Sequence, residues 1–174
     1  MATNFSVQHR LARAGWKMTW LLLCRWTPRP LHAWRALVLR AWGARVGAGC
    51  HVYPGAIVWA PWQLTLGDEA CIADDADIYN VAPVTLGGRA VVSQGAYLCT
   101  ASHDHRRADF PMISAPIRLG DRAWVAARAI VLPGLTIGAG AVAGAGSVVT
   151  HDIPDGCTAA GNPARIVREA EAGP

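Results

Sequence analysis

The chain is poor in charge. Asp, Glu, Lys and Arg make up 16% of 174 residues, against about 25% in an average soluble domain, while hydrophobic residues reach 52%. So little charge on an 18.4 kDa chain implies that part of the surface is hidden, by self-association or by a membrane. Long apolar runs are also missing. Met18–Cys24 is bracketed by Lys17 and Arg25, far short of the roughly 20 residues a membrane span needs, and no small-residue cleavage pattern follows it. The five cysteines (Cys24, Cys50, Cys71, Cys99, Cys157) contain no Cys-x-x-Cys. A disulfide framework or zinc ribbon is not expected, and a reduced, cytoplasmic protein is. Neither a glycine triplet nor a heptad repeat is present, which excludes collagen and coiled coil. With 18 Gly and 11 Pro the chain is too interrupted for a helical bundle, yet too apolar for disorder.

Acid is absent from the first 67 residues; the first carboxylate is Asp68. The same stretch holds Arg10, Arg13, Lys17, Arg25, Arg29, Arg35, Arg40 and Arg45, half of the 16 bases. A basic segment that also carries Trp16, Trp20, Trp26, Trp34 and Trp42 suits an anionic membrane surface or an acidic substrate. It equally suits a helical cap on the end of a core. Nucleic acid is not indicated, since no recognised binding motif is present and the bases alternate with Trp and Leu.

A six-residue repeat fills residues 46–154. Aliphatic residues recur at Val46, Val52, Val58 and Leu64, then after a slip of two at Leu66, Ile72, Ile78 and Val84. After a second slip come Leu86, Val92 and Leu98, and after an interruption Leu119, Val125, Val131, Ile137, Ala143 and Val149. Gly often follows the aliphatic position, and the fifth position is often Ala or Ser. Neither strand alternation nor a helical period produces this spacing. It describes a coil of three short faces, each turning one aliphatic side chain inward, stacked so that the side chains form a column. Glycine is expected to relieve backbone strain at the corners. The two slips read as two-residue bulges, and about thirteen extra residues interrupt the third coil.

Leaving the third coil, the chain reads Cys99-Thr100-Ala101-Ser102-His103-Asp104-His105-Arg106-Arg107. A polar, histidine-bearing loop on a rigid repeat scaffold is where chemistry is expected. A histidine can take a proton from a hydroxyl near neutral pH, which makes it a natural general base.

The hexapeptide pattern resembles that of the hexapeptide-repeat acyltransferases, whose fold is a left-handed parallel β-helix. Thr100-Ala101-Ser102-His103 resembles the catalytic-histidine loop of the maltose, galactoside and nodulation-factor O-acetyltransferases. Pro116–Val125 resembles their return into the helix, and Val148-Val149-Thr150 and Ala160–Arg165 their last coil and tail. The resemblance implies an all-β fold of about five coils over 46–154, with an excursion loop at 99–116. It implies acetyl-CoA as co-substrate, a homotrimer, and His103 as the base that deprotonates the acceptor. By the same resemblance Asn80 and Met112 belong to the acceptor pocket, and Trp124 lies beside the thioester. Ala127, Ala145 and Thr150 line the coenzyme A channel, and Arg165 and Arg168 stand near its phosphates. Two positions depart from the family: Ala126 replaces a usual Gly, and His151 a usual Lys near the phosphates.

The flanks read as caps. Residues 1–45, with apolar residues split by Pro28 and Pro30, read as two short amphipathic helices over the open first coil. In the tail, 155–174, Asn162-Pro163 reads as an N-cap and first-turn proline of a short helix ending near Ala170. Trp20–Leu23, Leu31–Arg35, Trp59–Trp62 and Tyr79–Val81 resemble the colanic-acid-type acetyltransferases of exopolysaccharide pathways. That likeness implies a sugar, nucleotide-sugar or lipid-linked glycan acceptor, met at the inner face of the membrane through residues 1–42. Direct transfer is expected, with no acyl-enzyme and no metal. The alternatives are an inert hexapeptide scaffold, and a metal-dependent lyase of the gamma carbonic anhydrase type using His51, His103 and His105.

Overall fold

A computed structural model of the protein describes residues 5–170. Residues 45–161 wind into a three-faced parallel β-helix. The first face stacks Arg45–Val46, Leu64–Leu66, Val84–Leu86, Ile117–Leu119 and Thr136–Ile137. The second stacks six strands from His51–Val52 to Thr158–Gly161, and the third stacks five, from Ile57–Val58 to Val148–Val149. Register follows the repeat: Val46, Leu66, Leu86, Leu119 and Ile137 pair directly from coil to coil. Of the seventeen repeat positions all are buried except Val46, which is half-buried against the same core.

Two local expectations are corrected. The two-residue slips are not bulges. In Leu64–Leu66 and Val84–Leu86 both end residues point inward on one strand, so the first face is simply two residues longer there. Nor do the glycines after the aliphatic positions relieve strain. Gly47, Gly67, Gly87, Gly120 and Gly138 lack positive φ, whereas the left-handed corner lies two residues later, at Gly49, Glu69, Arg89, Arg122 and Gly140. What these glycines provide is clearance: a Cβ on Gly87 would stand 2.6 Å from the Asp121 backbone nitrogen. That close approach lets Asp121 Oδ1 accept a hydrogen bond from the Gly88 N–H at 2.8 Å. Asp68 and Asp155 repeat the contact toward Ala48 and Ala139.

The N-terminal cap forms as two helices, α1 (Val7–Leu23) and α2 (His32–Ala41), with Ser6 as N-cap of α1. Trp16 is buried and its indole N–H donates to the Val58 carbonyl at 2.7 Å. Arg35, fully buried, donates from Nε to the Val52 carbonyl at 2.6 Å and through its guanidinium to Thr27 Oγ1 and the Pro28 and Arg29 carbonyls. Both carbonyls, Val52 and Val58, belong to the exposed edge of the first coil. Among the described residues no helix is long and apolar enough to cross a membrane.

The C-terminal helix does not form. Ala164–Arg168 instead runs antiparallel to Thr158–Gly161, with Asn162-Pro163 at the turn. Asn-Pro is as good a turn signal as a helix start, and the open edge of the last coil decides between them.

Gly87→Ala tests the close approach. Because the obstructing atoms are the Asp121 carboxylate and the backbone at Gly120 and Asp121, we expect a loss of stability on the order of 3 kcal/mol, seen as a lower Tm by calorimetry. An unchanged Tm would show that the coils can part.

Candidate active site

The excursion is ordered as a β-hairpin, Ala101–His103 against Met112–Ser114, standing off the corner between the third and first faces. His103 and Met112 are register partners. The His103 ring stacks on Phe110, with centroids 4.6 Å apart and planes 7° from parallel. Its Nδ1 lies 3.1 Å from the Phe110 carbonyl oxygen. A carbonyl can only accept, so Nδ1 carries the proton and Nε2 keeps its lone pair. That is the tautomer a general base needs, and the orienting group is main chain. Phe110 itself adopts φ +46°, the left-handed conformation that turns its carbonyl back toward His103.

A small pocket of about 130 Å³ opens beside His103, lined by Tyr79, Tyr97, Cys99, Ser102 and Met112 among others. Tyr79 and Tyr97 stand 6.4 Å apart on the third face. Burial, then the bond to Cys99, pushes the Tyr97 hydroxyl up, so it remains a proton-bearing donor. Tyr79, Tyr97, Cys99 and Phe110 were not legible as site residues. The first three flank inward Ile78 and Leu98, so strand alternation would have turned them outward; Phe110 depends on a hairpin register that no spacing reveals.

None of Cys24, Cys50 and Cys71 offers an activated thiolate. Burial pushes Cys24 up to about 11 and raises Cys50 and Cys71. His51 lies on the first coil against His32, centroids 4.8 Å apart, on a different face from the hairpin that carries His103 and His105.

The remaining predicted residues fall in two other places. Trp124, 46% exposed, stands on the second face with its indole N–H on Ser93 Oγ at 2.8 Å. Ala127 and Ala145 occupy successive rungs of the corner between second and third faces, joined by the Gly146 N–H to the Ala127 carbonyl at 2.9 Å. Thr150 contacts His151 at 2.9 Å, and His151 and Arg165 line a groove of about 360 Å³ at the last coil. Arg168 ends the terminal strand. One chain therefore holds His103 at the corner of the third and first faces, and Trp124, Ala127 and Ala145 on the second face, opposite that corner, and at its junction with the third.

Asn80 is not among the residues that line the His103 pocket. It is fully buried, its amide oxygen accepting from the Ala60 N–H at 2.9 Å and its NH₂ donating to the Ala60 carbonyl at 2.6 Å. The side chain closes a corner between two coils and presents no polar atom to an acceptor.

No family profile matches the chain. Individual relatives do. The chain is 42% identical over 144 residues, 83% of its length and 79% of the relative's, to the Escherichia coli K12 protein named for colanic acid biosynthesis, the acetyltransferase WcaF. It belongs to the hexapeptide-repeat acetyltransferases. The galactoside O-acetyltransferase of the same organism is 33% identical over 124 residues, covering 70% of this chain and 55% of that one. The hexapeptide-repeat acetyltransferase VCA0836 of Vibrio cholerae, solved with acetyl coenzyme A, superposes with TM-score 0.85 at 26% identity, over 98% of this chain and 93% of that one. A galactoside acetyltransferase solved with coenzyme A gives TM-score 0.86 at 28% identity over 96% and 84%. The fold is their left-handed parallel β-helix.

Asn80→Ala separates scaffold from substrate contact. Leaving the Ala60 N–H and carbonyl buried without partners is expected to cost about 3 kcal/mol, measured by denaturant unfolding. Full stability with a raised KM for the acceptor would return Asn80 to the pocket.

Proposed function

We propose that this chain transfers the acetyl group of acetyl-CoA to a hydroxyl of a sugar or glycan, with His103 as general base, in a homotrimer at the cytoplasmic face of the membrane. The observation that carries the reading is the His103 Nδ1–Phe110 carbonyl bond, which leaves Nε2 basic. His103 Nε2 accepts the acceptor's proton as its oxygen attacks the thioester carbonyl. The C–S bond then breaks as the carbonyl re-forms, and the imidazolium returns the proton to the leaving thiolate. Backbone N–H groups hold the oxyanion between the two steps.

Met112, beside His103, belongs to the acceptor side. Trp124, Ala127, Ala145 and Thr150 form the donor channel, and Arg165, Arg168 and His151 serve the nucleotide phosphates, where fixed cations are apt. Because one chain carries the base and the donor channel on different corners, a complete site calls for two neighbouring chains. Three copies around an axis satisfy that for every site.

His103→Ala should lower transfer by about 10²–10⁴ with Tm unchanged; activity kept by His103→Ala but lost by His105→Ala would move the base. Mixing His103→Ala chains with Trp124→Ala/Arg165→Ala chains should restore roughly a quarter of the native sites if each is shared. No restoration, or an active monomer by light scattering, would sink the shared site. Failure of acetyl transfer across a broad sugar panel would favour an inert scaffold.

Membrane contact is supported by one face of α1. Val7, Leu11, Met18 and Leu22 are exposed at heptad spacing, continued by Trp26 and Trp34. Arg35 and Arg40 are spent on carbonyls, Arg29 pairs with Asp74 and Arg13 lies over the Trp59 ring, which leaves Arg10, Lys17, Arg25 and Arg45 for an anionic surface, at roughly 1 kcal/mol each. Liposome co-sedimentation should require anionic lipid, weaken with salt, and fail for Leu11→Asp/Leu22→Asp. Binding that ignores those substitutions would leave α1 as a cap alone.

A further inference from the structure

Between α1 and the third face of the first two coils lies a groove of about 440 Å³, well within the size of small-ligand sites. Its helical wall includes Arg13, Lys17 and Trp20, and its opposite wall Trp59, Asp77 and Tyr79. Among the described residues three buried side-chain polar atoms lack a hydrogen-bond partner: His9 Nε2, Arg13 Nε and Trp20 Nε1. All three lie on α1, and the latter two belong to side chains that line this groove.

Indole and guanidinium nitrogens only donate. Two side chains that line the groove thus carry donors the protein leaves unpaired, and a buried unpaired donor is costly. Charge points the same way. Arg13 sits 3.5 Å over the Trp59 ring centroid, a contact that fixes the guanidinium plane while leaving its edge able to donate. Lys17 has no carboxylate partner among the described residues. Three bases, Arg13, Lys17 and Arg25, and two acids, Asp75 and Asp77, line the groove, which leaves one positive charge in excess, and none of the five forms an ion pair among the described residues. Tyr79 lines both this groove and the His103 pocket, so the two are neighbours on the third face.

We infer that this groove binds the phosphate or diphosphate on which the acceptor sugar is carried, with Arg13, Lys17 and Trp20 donating to phosphate oxygens while the sugar extends past Tyr79 toward His103. The diphosphate is common to nucleotide-linked and lipid-linked sugars. The inference rests on the proposed function for its sugar, but the phosphate site stands or falls by binding alone.

Isothermal titration of the full-length protein provides the test, with saturating coenzyme A present so that the donor's own phosphate site is filled. The probes are inorganic pyrophosphate, a nucleoside diphosphohexose, a short-chain polyprenyl diphosphohexose, a hexuronate and a neutral methyl hexoside. Arg13→Gln and Trp20→Phe should each weaken the three diphosphates about tenfold or more, with coenzyme A affinity kept. Arg45→Gln, an exposed base of the same segment outside the groove, should change them less than about twofold. Trp20→Phe retains an aromatic ring in the packing, so its loss of binding reads the N–H rather than the fold. Comparing the two diphosphohexoses identifies the carrier. The proposal is overturned if pyrophosphate binds both variants normally or if Arg45→Gln costs as much. It is likewise overturned if the hexuronate binds as tightly, or if coenzyme A weakens in parallel. Because none of these readouts is acetyl transfer, a failure of His103 as base would leave them intact.

Discussion

Every coil hands its backbone N–H and carbonyl groups to the coil above and the coil below, and the rest of the structure answers to that. A parallel stack has no hairpin to end it, so its first and last coils expose rows of unpaired groups that would recruit another chain. The two ends are closed differently. At the start, side chains do it: Trp16 donates to the Val58 carbonyl and Arg35 to the Val52 carbonyl. At the finish the main chain does it, Ala164–Arg168 folding back on Thr158–Gly161. A guanidinium buried without a carboxylate is unusual. Here it is tolerated because four carbonyl or hydroxyl oxygens surround it.

The same constraint decides where chemistry can sit. Faces are committed to stacking and their inward residues to the core, so functional side chains are left to outward positions, corners and excursions. His103 is held by an excursion that makes its own two-stranded sheet, which gives the imidazole a rigid mount without disturbing the coil. Its orientation comes from the Phe110 main chain and a ring stack rather than from a carboxylate. A carbonyl, which can only accept, fixes the tautomer.

The repeat was legible because burial enforces it: a polar residue at any inward position would sit within an apolar column five or six residues long. The excursion and His103 were legible because they interrupt that column. What the spacing could not deliver are features set by contacts across it. Asn80 looks like a turn residue or a pocket residue until Ala60, twenty positions away, is seen to take both halves of its amide. Arg35 is indistinguishable in sequence from its seven basic neighbours. The corner glycines were noticed, but for the wrong reason: composition cannot separate a need for positive φ from a need for clearance. The C-terminal strand was misread because Asn-Pro carries two local meanings, and only the open edge chooses.

The basic N-terminal segment was one feature in sequence and is three in structure. Arg35 and Arg40 serve carbonyls, Arg29 serves Asp74, and Arg13 lies on Trp59. The division follows helical periodicity. On α1, His9, Arg13, Trp16 and Trp20 recur at spacings of four, three and four and turn toward the coil, while Val7, Leu11, Met18 and Leu22 recur on the opposite side. A helix needed only as a cap would leave its far face polar, because exposed Val, Leu and Met there gain nothing in water. A helix needed only as a surface anchor would not bury Trp16 and Trp20. α1 is therefore apolar on both sides: one side packs on the first coil, and the other is exposed in the single chain.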